Sequence, residues 1–244
     1  MDVIARLDRE VDEHVQRTRF YHEPLTLERA KMFVRQHRLN TRQRNSVLKL
    51  MVATNCPDWD TRLKIIGSSS QELIADHEFG GGKAHWQILE ELGVTIGMDP
   101  ADIQAARPTI NTQISWLAWE ALMRNRHWLE GLIANTCAER VNCPGYGTGE
   151  MKALGSSGVL NGRWRAFFGL TAEQAQFWGM HSEADVAHSN LGWQTIAKHA
   201  EALNMADAVV VACRMNLAVW ERYFNGIIDA GDAVADGRTD GLYL

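Results

Sequence analysis

The chain has 244 residues, enough for one domain of ordinary to large size that buries a core without disulfide staples. Its 45% apolar content is globular, and a formal net charge of −5 gives no basic footprint for nucleic acid or an anionic membrane. No apolar run approaches the ~20 residues of a membrane span, and the charged start, Met1 to Glu10, lacks the apolar stretch of a secretion signal. A cytoplasmic protein is expected. The four cysteines (Cys56, Cys137, Cys143, Cys213) form no CxxC pair and read as buried small apolar residues in a reducing compartment.

The pattern is helical nearly throughout, with five prolines and scattered rather than alternating β-branched residues. A first helix is expected from Asp2 to Arg19. A second starts at Thr26, a capping hydroxyl before a charged first turn. A third covers Thr41 to Thr54 and stops before Cys56-Pro57. Ser69 or Ser70 caps a helix reaching toward Glu91, with Gly80-Gly81-Gly82 inside it, where a break or bulge is expected. Asp99-Pro100 opens a short helix. Two helices follow, Asn111–Arg124 and Arg126–Asn142, then a turn at Pro144-Gly145-Tyr146-Gly147. Gly145 to Gly169 has no clear assignment. Thr171 starts a helix running to Leu203, and Asn204 or Asp207 begins the last, to Asp229. Seven or so helices with short connections predict an all-α, single-domain bundle over residues 1–244, with 231–244 a loose tail.

The strongest local signal lies between Phe177 and His188. At ~100° per residue, His181 and His188 differ by about 20° around the helix axis, and Asp185 lies about 40° to the other side of His181. Two imidazoles and a carboxylate on one face suit a borderline or harder transition metal such as Fe(II) or Mn(II). A solvated polar face is the ordinary reading of such a pair. Here Phe177, Trp178, Met180, Val186 and Leu191 surround the stripe, so it reads as buried and in need of partners. A second segment places Glu78 and His85 seven apart, on one face if the helix continues through the glycines; Asp76 and His77 are neighbouring alternatives. A third carboxylate, Glu139, ends an apolar helix of small residues and by itself reads as a surface glutamate. Only Asp185-x-x-His188 matches carboxylate-x-x-His, which disfavours a ferritin-like plan, and H-E-x-x-H is absent.

The H-x3-D-x2-H element, preceded by a Glu-x6-His segment and an isolated glutamate between them, resembles the haem-oxygenase-like di-metal oxidases. These share a fold with thiaminase (TenA) and PQQ-synthesis proteins. The resemblance implies a seven-helix haem-oxygenase-like bundle holding two Fe(II) ions through Glu78, His85, Glu139, His181, Asp185 and His188, with O2 as co-substrate. It implies a non-haem di-iron oxidoreductase of a biosynthetic, natural-product type, acting on a small carboxylate, an amino acid or its derivative. Outcomes would be C–H activation, desaturation, C–C cleavage or N-oxygenation. A fatty-acid-oxidising decarboxylase of the same family, and a TenA- or PQQ-synthesis-like enzyme without redox metal, are the alternatives. Ala138 rather than a tyrosine precedes Glu139, so an activity that consumes the protein's own tyrosine is not expected. The expected partner is a small molecule, with a homodimer compatible and neither nucleic acid nor membrane. In the apolar last helix, Arg214 needs an anion: a substrate carboxylate, or an internal acid. Trp86, Trp193 and Phe177 pack the core or wall the pocket.

Overall fold

Five helices start where a side-chain oxygen accepts an otherwise orphaned backbone N–H. Asp2 caps α1 (Val3–Arg17), Thr26 caps α2 (Leu27–Arg42) and Asp58 caps α4 (Trp59–Leu73). Asp99, followed by Pro100 at the first helical position, caps α6 (Pro100–Gln104), and Thr109 caps α7 (Ile110–Arg124). The others are α3 (Lys49–Asn55), α5 (His85–Thr95), α8 (Trp128–Val141), α9 (Gly149–Phe168), α10 (Gln176–Ala202) and α11 (Ala206–Ala235). This computed structural model describes residues 2–243, apart from the side chains of Glu183, Ala184, Val186, Ala187, His188 and Leu191.

The all-α expectation holds: among the described residues the only β-type pairings are two isolated bridges, Asp76 with Lys83 and Thr109 with Tyr243. The count does not hold. The described residues form eleven α-helices where about seven were expected. The segment 69–91 is two helices, because a tight hairpin interrupts it at 76–83. The stretch 145–169, unassigned from its pattern, is mostly α9, kinked at Gly155. The chain also stays helical to Ala235, past the Gly231 where a loose tail was expected, and Gly231 packs against the Arg29 backbone. None of the described helices is long and apolar enough to cross a membrane.

Two features position the site. First, α2 runs through a π-helical segment, Gln43–Leu48, directly into α3, making one rod from Leu27 to Asn55. The wider π turn shifts the helical phase and turns the otherwise ordinary polar residue Arg44 inward. Second, α8 is buried on all faces, from Trp128 through Cys137, and packs against α7, α10 and α11. A glycine on α10 allows close approach. At Gly192 of α10 an added Cβ would stand 2.3 Å from Thr136 Cγ2 and 2.9 Å from its Oγ1.

Gly192→Ala should therefore destabilise the fold by about 1–3 kcal/mol through overpacking, outweighing a gain of about 1 kcal/mol in helix propensity. Thermal unfolding measures it, with Thr136→Ala as a relieving second change. An unchanged or raised Tm in Gly192→Ala contradicts the close packing of α8 on α10.

Candidate metal centre

A cavity of about 1000 Å3, its open mouth included, lies where α4, α5, α8 and α10 converge. The last turn of α4 carries Glu72. The chain then forms the hairpin, in which the Asp76 N–H donates to Lys83 O at 3.0 Å and the Gly82 N–H donates to Asp76 O at 2.7 Å. Gly81 and Gly82 take φ of +62° and +84°, a left-handed region that favours glycine. At Gly80 a Cβ would stand 2.7 Å from Lys83 O, so a side chain there would open the turn. Asp76 Oδ1 accepts the N–H groups of Glu78 and Phe79 at 2.9 and 3.0 Å. The hairpin thus sets Asp76 and His85 side by side at its base.

His85 is the hub. Its Nε2 lies 3.0 Å from Asp76 Oδ2 and its Nδ1 lies 3.1 Å from Glu72 Oε2. Burial opposes charge on this ring, but the charges of Glu72 and Asp76 and the hydrogen bond to Asp76 outweigh it and raise the His85 pKa from 6.5 to about 9. The partner responds in the opposite sense: against its own burial, Glu72 is lowered from 4.5 to about 2 by His85. Asp76 is lowered too, where hydrogen bonds from Phe79, His85 and Glu78 overcome burial. The ring of His181 lies 5.2 Å from that of His85. Burial, then the neighbouring His85 charge, lower its pKa to about 4, so it is neutral. Its Nδ1–H donates to Phe177 O at 2.6 Å, which leaves the Nε2 lone pair for the cavity.

One turn along α10, Asp185 is buried and its pKa is raised well above 3.8 by burial and then by the charge of Glu139. Asn142 Nδ2 donates to Asp185 Oδ2 at 2.6 Å, and Ser156 Oγ donates to Asn142 Oδ1 at 2.7 Å. Glu139 is half-buried and stands 3.5 Å from Lys49 Nζ, which also donates to Ser68 Oγ at 2.6 Å. Four of the six residues expected to hold metal (His85, Glu139, His181 and Asp185) thus line one cavity. His188 sits on the same helix, but its side chain lies outside the described residues.

Glu78 requires correction. The hairpin breaks the helical register that would have aligned it with His85, and its side chain is exposed, away from the cavity. Glu72 and Asp76 stand there instead. Arg214 requires correction as well. It is exposed and forks onto Glu10, with Nε and Nη2 at 2.9 and 2.6 Å, so the internal acid is its anion. Its neighbour Asn216 is buried between the Trp119 indole and Cys137 Sγ. Phe177 walls the cavity. Trp193 is buried and donates to Asp8, while Trp86 donates to Leu73 O beneath Arg38 and Arg42.

The donor set fits iron in kind: carboxylates and imidazoles suit Fe(II). Two buried atoms in it, Glu72 Oε2 and His85 Nδ1, have no hydrogen-bond partner although they face each other. Among the described residues, however, no three histidine, cysteine, aspartate or glutamate side chains are gathered closely enough to hold an ion as they stand. Binding therefore requires side-chain adjustment and loss of protons from His85 and Asp185.

A family model described as iron-containing redox enzyme matches residues 31–221. A solved chain from Shewanella denitrificans OS217, described as a domain of unknown function with a heme oxygenase-like fold, superposes with a TM-score of 0.74. It is 15% identical, and the match covers 98% of this chain and 96% of that one, which establishes the heme oxygenase-like fold. No curated protein matches the sequence significantly.

The charges around His85 link stability to pH. A pKa raised from 6.5 to about 9 contributes stability that is complete below pH 6.5 and lost as pH rises through 9. Glu72, lowered from 4.5 to about 2, contributes stability complete above pH 4.5 and lost as pH falls through 2. The metal-free chain should lose stability on the order of 1–3 kcal/mol between pH 6.5 and 9, and His85→Gln should flatten that limb in thermal unfolding. A parent profile already flat there contradicts the charge assignment.

Proposed function

This chain belongs to the family of iron-containing redox enzymes, and we propose that it is a non-haem di-iron oxidase or oxygenase that uses O2 on a small carboxylate. The observation that carries this reading is the convergence of Glu72, His85, Glu139, His181 and Asp185, from four helices, on one largely buried cavity. These five residues with His188 form the proposed ligand set, Glu72 taking the place first given to Glu78. Amino acids and their derivatives are the first substrate class. Fatty acids are the second, favoured by the aromatic wall of Phe20, Phe33, Phe177, Trp178 and Phe224.

Bound iron supplies the O2 activation needed to oxidise a C–H, C–C or amine group. The chain supplies the setting. Asp76 holds the proton on His85 Nε2 and fixes the ring, leaving Nδ1 toward Glu72. The Phe177 carbonyl does the same for His181 through Nδ1. Asn142, itself oriented by Ser156, aims Asp185. Lys49 restrains Glu139 from the opposite wall. The aromatic wall limits water at the reacting end.

Anaerobic titration with Fe(II) should load close to two ions per chain, with protons released near neutral pH as His85 and Asp185 deprotonate. Glu72→Ala and Asp185→Ala should each lose at least one ion, while Glu78→Ala keeps both. Admission of O2 with candidate amino acids or fatty acids should then consume O2 and give an oxidised product. Failure to bind iron even with those candidates present, or equal losses in the Glu72 and Glu78 variants, would sink this reading.

A further inference from the structure

Arg44 is 3% exposed, held in the π-helical segment before α3. Its guanidinium packs on one side of the paired rings of Trp119 and Trp220, 5.2 and 4.8 Å from their centres, which are themselves 4.6 Å apart. It donates to Ala134 O and, at 3.0 Å, to Asn45 Oδ1. Among the described residues its Nε has no hydrogen-bond partner. No carboxylate among the described residues stands within ion-pair distance of it, whereas Arg38, also buried, is paired with Glu90. The next residue after its Ala134 acceptor is Asn135, 4% exposed, with neither amide atom partnered. Both side chains line the cavity of the candidate metal centre. A buried cation without an anion and a buried amide without a partner are costly unless a guest satisfies them.

The rest of the cavity says what the guest carries. From Trp220, beside Arg44, rings follow one another: Trp220 to Phe224 at 5.0 Å, Phe224 to Phe20 at 4.7 Å, and Phe20 to Phe33 at 5.5 Å. Phe33 then reaches Phe177 at 6.0 Å, and Phe177 reaches His181 at 4.6 Å. An apolar track therefore joins the unpaired cation to the two imidazoles.

We propose that Arg44 and Asn135 are the carboxylate-binding end of this cavity, and that the substrate is a carboxylate whose apolar chain lies along the aromatic track toward His181 and His85. The carboxylate accepts from the Arg44 Nε–H and from Asn135 Nδ2, and Trp119 and Trp220 hold the guanidinium in place. Its catalytic meaning rests on the iron-oxidase reading; the binding itself does not.

The test uses the full-length, metal-free chain, so that iron loading and carboxylate binding fail separately. Hexanoate, octanoate and L-phenylalanine are each titrated against the corresponding primary amide, followed by calorimetry and by tryptophan fluorescence. At least one carboxylate should bind about 10- to 100-fold more tightly than its amide, as expected for hydrogen bonds to a charged group. Arg44→Gln should abolish that preference. Asn135→Asp, which places an internal anion beside the guanidinium, should weaken carboxylate binding about as much, and it decides the matter if Arg44→Gln does not fold. Equal affinity for carboxylates and amides overturns the proposal, as does the absence of carboxylate binding. So does an undiminished preference in Asn135→Asp or in folded Arg44→Gln.

Discussion

One imidazolium between two carboxylates governs the chemistry of this helical core. His85 stays charged because Glu72 and Asp76 flank it, and each stays ionised because His85 lies between them. The consequences propagate outward. With His85 positive, His181 is kept neutral. Glu139 retains Lys49 as its cation, while Asp185, buried and facing Glu139, is pushed toward its protonated form and accepts an amide N–H from Asn142. The cavity is therefore charge-balanced at its acidic end before any metal arrives, and a cation entering there displaces protons rather than filling an empty acidic pocket.

The fold makes this arrangement affordable by keeping water-seeking groups in one place. Aromatic rings surround His37, whose own pKa is driven to about 3 mainly by burial. α10 carries Gly192 where it crosses Thr136 of α8, and His181 and Asp185 reach the cavity from one wall while Asn135 and Glu139 face it from another. The π segment works from a third side. It brings Arg44 inward without breaking the rod from α2 into α3.

Much of this was legible in the sequence where a local rule sufficed. Caps at Asp2, Thr26 and Asp99 are single-residue signals, and the structure uses them. The proximity of His181 and Asp185 follows from helical spacing, and both line the cavity. Glu78 failed because the expectation carried helical phase through three glycines. Their positive φ at Gly81 and Gly82 closes a hairpin instead, and the carboxylate one turn before the break, Glu72, inherits the position. The signal for it was the glycine triplet itself, taken as an end to the register rather than as a bulge. The two arginines differ in another way. Arg214 sits in an apolar stretch, yet its long side chain reaches the surface and Glu10. Arg44 sits near Arg35, Arg38 and Arg42 in a helical stretch whose pattern does not single it out, and it lies in the π turn that the pattern does not reveal.

That contrast bears on how the cavity selects and orients a guest. A cation already forked onto a carboxylate, like Arg214, has little to offer a second anion without first giving up its own. Arg44 is held instead by two indole rings and two neutral oxygens, partners that fix its position, and among the described residues Glu139 and Glu72 act on its charge without forming an ion pair. At the acidic end, His85 and Lys49 are already held by Glu72, Asp76 and Glu139, and offer an anion little. A carboxylate entering the same cavity therefore finds a cation without an ion-pair partner at one end only, with an apolar track leading from it. On the binding mode proposed above, the carbon far from the carboxylate is the one brought toward His181 and His85.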